Sequence, residues 1–155
     1  MKSYDRLYIG GDWVEPSSSA TIDVVSPTTE EVVGRVPEAQ NADIDRAVAA
    51  AREAFDHGPW PRLTHAERMA KVEELAAIYA GHVDEMADLI TDEMGSPRSF
   101  SRLGQASAAV AMIHLTLGVA RDFPWTERRH GVLGEVHLHR APVGVVAAIV
   151  PWNVP

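Results

Sequence analysis

Three consecutive residues near the end of the sequence, Pro151, Trp152 and Asn153, have side chains that could do chemistry. The amide of Asn153 is a neutral hydrogen-bond donor of the kind that stabilises a developing oxyanion. Trp152 offers a flat apolar face and a ring N–H. Pro151 and Pro155 restrict the backbone on either side, so we expect the amide to be held in place. The same residue types are ordinary in a turn, and by themselves they favour that simpler interpretation.

The residues that must position Asn153 form an apolar run just before it, Val145–Val150. The run is short, rich in β-branched residues and apolar at every position, which predicts a central strand of a parallel sheet covered on both faces. Ligands bind outside the carboxyl ends of such strands. Each neighbouring parallel strand requires a crossover of a dozen or more residues. Nothing earlier in the sequence resembles such a strand, so we expect the chain to be the amino-terminal piece of a longer protein, or to need a missing remainder for its fold.

Two other groups of residues could carry chemistry. Gly10 and Gly11 could cradle a phosphate, but no GxGxxG spacing accompanies them, and a tight hairpin turn between apolar runs is favoured. His137 and His139 share one face of an alternating segment with Glu135 and could approach a metal ion. No further ligand accompanies them, so a solvated strand face is the favoured interpretation and no metal is expected.

Composition and charge exclude several classes of protein. The 155 residues are 46% apolar and 23% charged, which excludes disordered and collagen-like chains, and the lack of cysteine excludes a disulfide scaffold or a thiol nucleophile. A net charge of −8 argues against binding to nucleic acid or to anionic membranes. The long apolar stretch 106–120 is interrupted by polar residues, so no membrane span is expected, and the amino terminus has no signal-peptide pattern. These features favour a soluble, cytoplasmic protein.

Periodicity and turn residues predict the order of the elements. Short strands come first, helices with one apolar face follow, and alternation over Glu135–Arg140 predicts a strand near the end. The expected landmarks are a hairpin turn at Gly10-Gly11, a helix over 43–55 capped by Asn41, a capping box from Thr64 to Glu67, a helix joint at Gly81, and a helix from Ser96-Pro97 to Phe123.

Four stretches in order make the chain resemble the amino-terminal part of the NAD(P)-dependent aldehyde dehydrogenase superfamily. The last stretch is the most specific, each earlier one is weak by itself, and together they cover essentially the whole chain. They are Tyr8-Ile9-Gly10-Gly11-Asp12-Trp13, Ser26-Pro27-Thr28-Thr29-Glu30, Glu93-Met94-Gly95-Ser96-Pro97, and Pro142-Val143-Gly144-Val145-Val146 through Pro151-Trp152-Asn153-Val154-Pro155.

This resemblance implies a fold and a mechanism. The implied fold class is α/β, with β-hairpins, three to four helices, a β arm and the first strand of a Rossmann-like parallel sheet. In such an enzyme a cysteine thiolate attacks an aldehyde, the thiohemiacetal passes hydride to NAD or NADP, and water releases the carboxylic acid. Asn153 matches the catalytic residue whose side-chain N–H donates to the thiohemiacetal oxyanion. Ile149, Val150, Pro151 and Trp152, with Asn153, match positions that line the nicotinamide pocket.

The resemblance also implies a division of the chain. Residues 1–125 match the amino-terminal part of the cofactor-binding domain, 126–141 a β arm of the oligomerisation domain, and 142–155 the truncated first strand of the dinucleotide-binding sheet. The catalytic domain is absent, so the chain alone is expected to be inactive. The intact parent is expected to oxidise an aldehyde and to form a homodimer or homotetramer through the arm 126–141.

Two positions depart from the family pattern. Val154 stands where an aromatic residue often follows the asparagine, which implies a wider substrate tunnel, and Ala141 stands where a glutamate commonly occurs. The choice between NAD and NADP and the identity of the aldehyde stay open. So does an alternative class of function, a non-catalytic assembly module derived from such an enzyme. An unrelated α+β domain carrying the same turns is a third interpretation.

Overall fold

The computed structural model describes residues 2–155, in which short strands precede and follow a group of helices. The first sheet has the strand order β1-β5-β4, with β1 parallel and β4 antiparallel to β5. Strands β2 and β3 form one hairpin, and β6 and β7 form another. The strands are β1 (Lys2–Ser3), β2 (Leu7–Ile9), β3 (Asp12–Val14), β4 (Thr21–Val25), β5 (Val32–Pro37), β6 (Thr126–Gly131) and β7 (Gly134–His139).

Gly10 and Gly11 form the turn of the first hairpin. Their φ values of 67° and 95° lie in the left-handed region, which glycine adopts without a steric penalty. A two-residue turn with both φ values positive matches the twist of the flanking strands. Leu7 therefore pairs with Val14, and Ile9 with Asp12. The predicted hairpin turn is confirmed.

Four long helices follow the first sheet. They are α1 (Asn41–Asp56), α2 (His65–Ala80), α3 (Val83–Met94) and α4 (Arg98–Asp122), with a 3₁₀ turn at Trp60–Arg62 between α1 and α2.

The predicted capping box before α2 is present, because the Thr64 hydroxyl accepts the Glu67 N–H and the Glu67 carboxylate accepts the Thr64 N–H. The prediction of Asn41 as the cap of α1 was wrong by one residue. Gln40 is the cap, because its N–H donates to the carboxylate of Asp43 at 2.9 Å.

The best-packed part of the molecule is the joint between α3 and α4. Gly95 ends α3 with φ 73°, and an added Cβ there would lie 2.8 Å from Pro27 Cγ. The residues that follow begin α4, whose segment Ser101–Ala106 is a π-helix. The π-helical turn directs Ser101 inward, where it accepts a hydrogen bond from the Thr91 hydroxyl at 3.0 Å. The buried apolar residues of this joint are Ala87, Ile90 and Ala106.

Much apolar surface lies outside this core. The chain exposes 11389 Å² to solvent. A folded monomer of 16.9 kDa is expected to expose about 7,700 Å². The excess includes large side chains of α4, namely Leu103, Met112, Leu115 and Val119, and of α2, namely Leu75 and Ile78. Exposed apolar surface of this extent is typical of an interaction surface.

Helix α4 is long and apolar enough to cross a membrane when only length and composition are considered. Its mean hydropathy reaches 1.5 over an 18-residue window, of which 17% is buried. One such helix is weak evidence for a membrane span, since a core helix has the same pattern. In this structure Leu117 of α4 is buried, and Arg121 forms an ion pair with Glu73 of α2 at 2.7 Å. The prediction that the chain does not span a membrane stays a prediction.

The predicted strand Val145–Val150 does not form as a hydrogen-bonded strand. Residues 140–151 have no regular secondary structure, and Trp152 and Asn153 form a turn. A strand is defined by its hydrogen bonds to a neighbour. None of the strands in the described residues 2–155 pairs with this segment. The predicted strand is therefore not formed because the described residues supply no partner strand, although the apolar pattern on which the prediction rested is present.

Candidate active-site segment

The candidate catalytic residue, Asn153, lies at the exposed end of the segment that follows the β6–β7 hairpin. Ile149 is 95% exposed and Trp152 is 87% exposed, and Val150 between them is also exposed. The Asn153 side chain is exposed in a turn and makes no hydrogen bond to the described residues. Its amide N–H groups are therefore available to donate to a ligand. The structure brings the five predicted site residues, 149–153, together only as neighbours in sequence.

Two features determine the course of this segment. Gly144 has φ 115°, and a Cβ added there would lie 3.6 Å from the guanidinium Nη1 of Arg52 on α1. A residue with a side chain would be strained at that φ, so Gly144 sets the direction of the apolar run. At the far end, Pro155 lines a cleft of about 780 Å³ between β5 and α3, with Val36 and Ile90 in its walls. The segment thus passes α1 and ends against α3.

Two of the acidic side chains that line this cleft are held in ion pairs with arginines. Asp84 accepts a hydrogen bond from Arg102 Nε at 2.6 Å, and Asp88 accepts one from Arg98 Nε at 2.6 Å. The hydrogen bond and charge of Arg102 lower the pKa of Asp84 below its ordinary value. A carboxylate held ionised in this way is poorly suited to be a general base near neutral pH.

The exposed side chains fit one part of a nicotinamide cofactor. Ile149, Val150 and the indole of Trp152 present an apolar surface against which a planar ring can pack. Residues 149–155 contain no cationic side chain for a phosphate. The segment could therefore contribute a wall for the ring, and the pyrophosphate would need other residues.

The alternative metal site on β7 is not assembled. His137 pairs across the hairpin with Arg128, and Glu135 pairs with His130. A guanidinium beside His137 is unfavourable for a metal cation. Among residues 2–155, no group of three or more potential ligands is placed to hold a metal ion.

The sequence analysis did not predict two side-chain clusters that join separate elements of the fold. The buried carboxylate of Asp43 accepts hydrogen bonds from the Ser17 N–H at 2.9 Å, the Ser17 hydroxyl at 2.8 Å and Arg46 at 2.6 Å. The other cluster joins His65 at the start of α2 to Trp125 at the start of the β6–β7 hairpin. An acidic residue in the first turn of α1, Asp43, was a sequence signal for the first cluster. No sequence signal indicated the second cluster, because His65 and Trp125 are 60 positions apart.

A comparison with models of protein families identifies the family to which this chain belongs. The model of the aldehyde dehydrogenase family matches residues 13–155, which is nearly the whole chain. The chain belongs to the aldehyde dehydrogenase family, as the four stretches predicted. It is 34% identical over 152 residues to aldehyde dehydrogenase 1 of Tanacetum cinerariifolium, covering 98% of this chain and 30% of the relative. It is 35% identical over 156 residues to a 3-succinoylsemialdehyde-pyridine dehydrogenase of Pseudomonas sp, covering 100% of this chain and 31% of the relative.

Solved structures show the same similarity in three dimensions. A Mycobacterium tuberculosis aldehyde dehydrogenase complexed with NAD+ superposes with a TM-score of 0.94 at 43% identity, covering 99% of this chain and 32% of that chain. A mutant of the P. syringae indole-3-acetaldehyde dehydrogenase in complex with NAD+ and IAA has a TM-score of 0.90 at 33% identity, covering 98% of this chain and 31% of that chain. The predicted fold class is confirmed. The chain spans about 30% of the length of the relatives it matches.

Proposed function

We propose that the chain is the amino-terminal portion of an NAD(P)-dependent aldehyde dehydrogenase that oxidises an aldehyde to a carboxylic acid. The observation that carries the proposal is the unpaired apolar run 145–150 ending at an exposed Asn153, in a chain that superposes on the NAD+-bound M. tuberculosis enzyme. The large excess of exposed apolar surface supports it, because that surface requires further protein to cover it. The proposed division is a cofactor-domain portion, 1–125, an arm, 126–141, and a first sheet strand, 142–155.

The proposed role of Asn153 follows from its chemistry. Its side-chain N–H donates to the oxygen that becomes negatively charged when a cysteine thiolate, supplied by the remainder of the enzyme, adds to the aldehyde carbonyl. A neutral amide held by flanking prolines stabilises this charge without a proton transfer. Bound NAD or NADP supplies the two-electron acceptor. Ile149, Val150 and Trp152 exclude water from one side of the nicotinamide ring and orient it.

Mutation of Asn153 in the intact parent enzyme tests this proposal. Asn153→Ala should lower kcat by about 10²–10³-fold, the usual size for loss of one oxyanion donor. Asn41→Ala is the matched control, because Asn41 is exposed at the start of α1 and is the only other asparagine in the chain. Steady-state kinetics with a saturating aldehyde and NAD+ measure the effect. A fall of less than about threefold, well below that expected for an oxyanion donor, would remove Asn153 from the mechanism.

The β6–β7 hairpin supports a second candidate function, a non-catalytic assembly module. Val132 and Leu133 at its tip are fully exposed, which is typical of a surface that another subunit covers. In an intact enzyme the same hairpin would join subunits into a homodimer or homotetramer. Mass spectrometry of the natural polypeptide, which gives its length, distinguishes between the two candidate functions. A length about three times that of this chain supports the enzyme, and a natural product of 155 residues supports the module.

A further inference from the structure

The apolar run Val145–Val150 is open along its backbone as well as along its side chains. Among residues 2–155, no backbone hydrogen bond joins this run to another segment. All six residues are exposed, and Val146 and Ile149 are 72% and 95% exposed. A β-branched segment of this length without charge, proline or glycine has the composition of strands that pair with one another. The run therefore has free hydrogen-bonding groups and two apolar faces.

The sequence of the run makes it complementary to a second copy of itself. In an extended strand, alternate residues share one face, and the face of Ala147 reads Val145, Ala147, Ile149. If two such strands run antiparallel with Ala147 opposite Ala147, each Val145 lies opposite Ile149 of the other copy. Large side chains then meet large ones on either side of a small centre, and cross-strand pairs of β-branched residues stabilise a sheet.

Two features limit how the run can pair. Pro151 has no backbone N–H, and Gly144 turns the chain with φ 115°, so a ladder is confined to the residues between them. Centring the pair on Ala148 would place Pro151 opposite Val145, which favours the register centred on Ala147. Residues 141–155 carry no charged side chain, although the chain has a net charge of −8. Two copies can approach here without bringing carboxylates together, but each further copy adds repulsion.

Helix α1 supplies an apolar surface beside the run. A Cβ added at Gly144 would lie 3.6 Å from Arg52 Nη1, so the run begins next to this part of α1. Ile44 and Val48 precede Arg52 at spacings of four residues, share its face of the helix and are 53% and 52% exposed. Two short strands alone are marginally stable in water, and packing on a helix stabilises such a pair. One face of the pair can therefore pack on Ile44 and Val48.

We propose that Val145–Val150 is a self-association site, at which two copies of this chain pair as antiparallel strands with the two-fold axis at Ala147. Each copy supplies the N–H and C=O groups that the other leaves unpaired, and the contact uses the same surface on both copies. The inference concerns the 155-residue chain and does not depend on the proposed enzyme activity. In the proposed intact enzyme, neighbouring strands of a sheet would take the place of the second copy.

Cross-linking through engineered cysteines tests the pairing and its register in the 155-residue chain, which has no cysteine of its own. Ala147→Cys should form disulfide-linked dimers under mild oxidation, because the two cysteines lie opposite each other. An equimolar mixture of Val145→Cys and Ile149→Cys should give at least about fivefold more dimer than either variant alone, because the two positions meet only across the antiparallel pair. Val132→Cys, at the exposed tip of the β6–β7 hairpin, measures the background from random collision.

Two results of this experiment would overturn the proposal. One is a yield for Ala147→Cys no greater than that for Val132→Cys, which would show that the run does not pair. The other is equal cross-linking by Val145→Cys alone and by the mixture, which is the result expected of parallel strands in register.

A charge exchange at Ala147 separates this site from the other exposed apolar faces. Sedimentation equilibrium of the unaltered chain should give a mass that rises with concentration from 16.9 kDa toward twice that value. Ala147→Asp and Ala147→Lys should each remain monomeric, because like charges would lie opposite each other, and an equimolar mixture of the two should associate again. Circular dichroism should show the same helix content in both variants, since residue 147 lies in an exposed irregular segment.

A control substitution on α4 completes the measurement. Leu115 is an exposed apolar residue of that helix, so Leu115→Lys should associate like the unaltered chain. Loss of association in Leu115→Lys, or undiminished association in Ala147→Asp alone, would assign the contact to another surface and overturn the proposal.

Discussion

The joint between α3 and α4 and the segment 143–154 are both rich in apolar residues, but only the joint is packed. In the joint, Ala87 and Ala106 are almost completely buried, and the polar Ser101 and Thr91 satisfy each other. In the segment, Val143 is 94% exposed, and the backbone has no strand partner among the described residues. The two regions therefore differ in whether the described residues supply a packing partner.

The difference explains why apolar pattern alone does not determine local structure here. The helices of the joint satisfy their backbone hydrogen bonds internally, so they form wherever one face finds a partner. A parallel strand has no such internal bonds and depends on its neighbours for every one. An apolar segment without a neighbouring strand therefore remains irregular, even where its residue pattern is typical of a sheet interior.

The largest effect expected from this comparison is in amide hydrogen exchange. In the intact parent, the amides of residues 145–149 should exchange at least about 10³-fold more slowly than in the 155-residue chain, because only the parent supplies strand partners and burial. The amides of residues 87–91, in α3, are the internal control and should be protected in both proteins. Mass spectrometry after timed exchange measures both segments together. Equal rates for 145–149 in the two proteins would show that this segment is not an interior strand.

A core truncation should separate the packed joint from the exposed surface in the chain itself. Ile90 is 4% exposed at the centre of the joint, so Ile90→Ala should lower the free energy of unfolding by about 2–5 kcal/mol. Leu103 lies on α4 but is 68% exposed, so Leu103→Ala should change the free energy of unfolding by less than about 0.5 kcal/mol. Urea unfolding followed by circular dichroism gives both values. Similar losses for the two variants would contradict the assignment of the core to this joint.

Local signals made several elements predictable from the sequence. The two glycines at Gly10-Gly11, the capping box from Thr64 to Glu67 and the left-handed Gly95 are each determined by residues within a few positions. The role of Asn153 stays a prediction from the family motif, and the residue lies exposed in this structure.

The features that sequence could not predict depend on distant contacts. The stack of His65 on Trp125 joins residues that no periodicity relates, and it requires the end of α4 to meet the start of α2. The π-helical turn in α4 arises where Ser101 and Gln105 are directed into the joint, which depends on the packing of α3. The predicted strand 145–150 does not form for a related reason, since a strand depends on hydrogen bonds to a neighbour and no strand of residues 2–155 pairs with it.

The smallest expected effect concerns Asp43, which is 1% exposed and ties the loop at Ser17 to the first turn of α1. Hydrogen bonds from the Gln40 N–H, Ser17 and Arg46 hold the pKa of Asp43 well below its ordinary value of 3.8. Asp43→Asn should lower the melting temperature by roughly 5 °C near neutral pH, because the amide cannot accept the same set of hydrogen bonds. Asp45→Asn, at an exposed position of the same turn, should have little effect.

The pH dependence of this difference follows from the lowered pKa. A carboxyl group with a depressed pKa in the folded state stabilises the protein fully above its ordinary pKa, and this contribution is lost as pH falls toward the folded-state value. The gap in melting temperature between the parent sequence and Asp43→Asn should therefore be constant above about pH 5 and shrink progressively below about pH 4. Differential scanning calorimetry at several pH values measures it. A gap that is unchanged in acid would show that Asp43 acts through packing and that its charge contributes nothing.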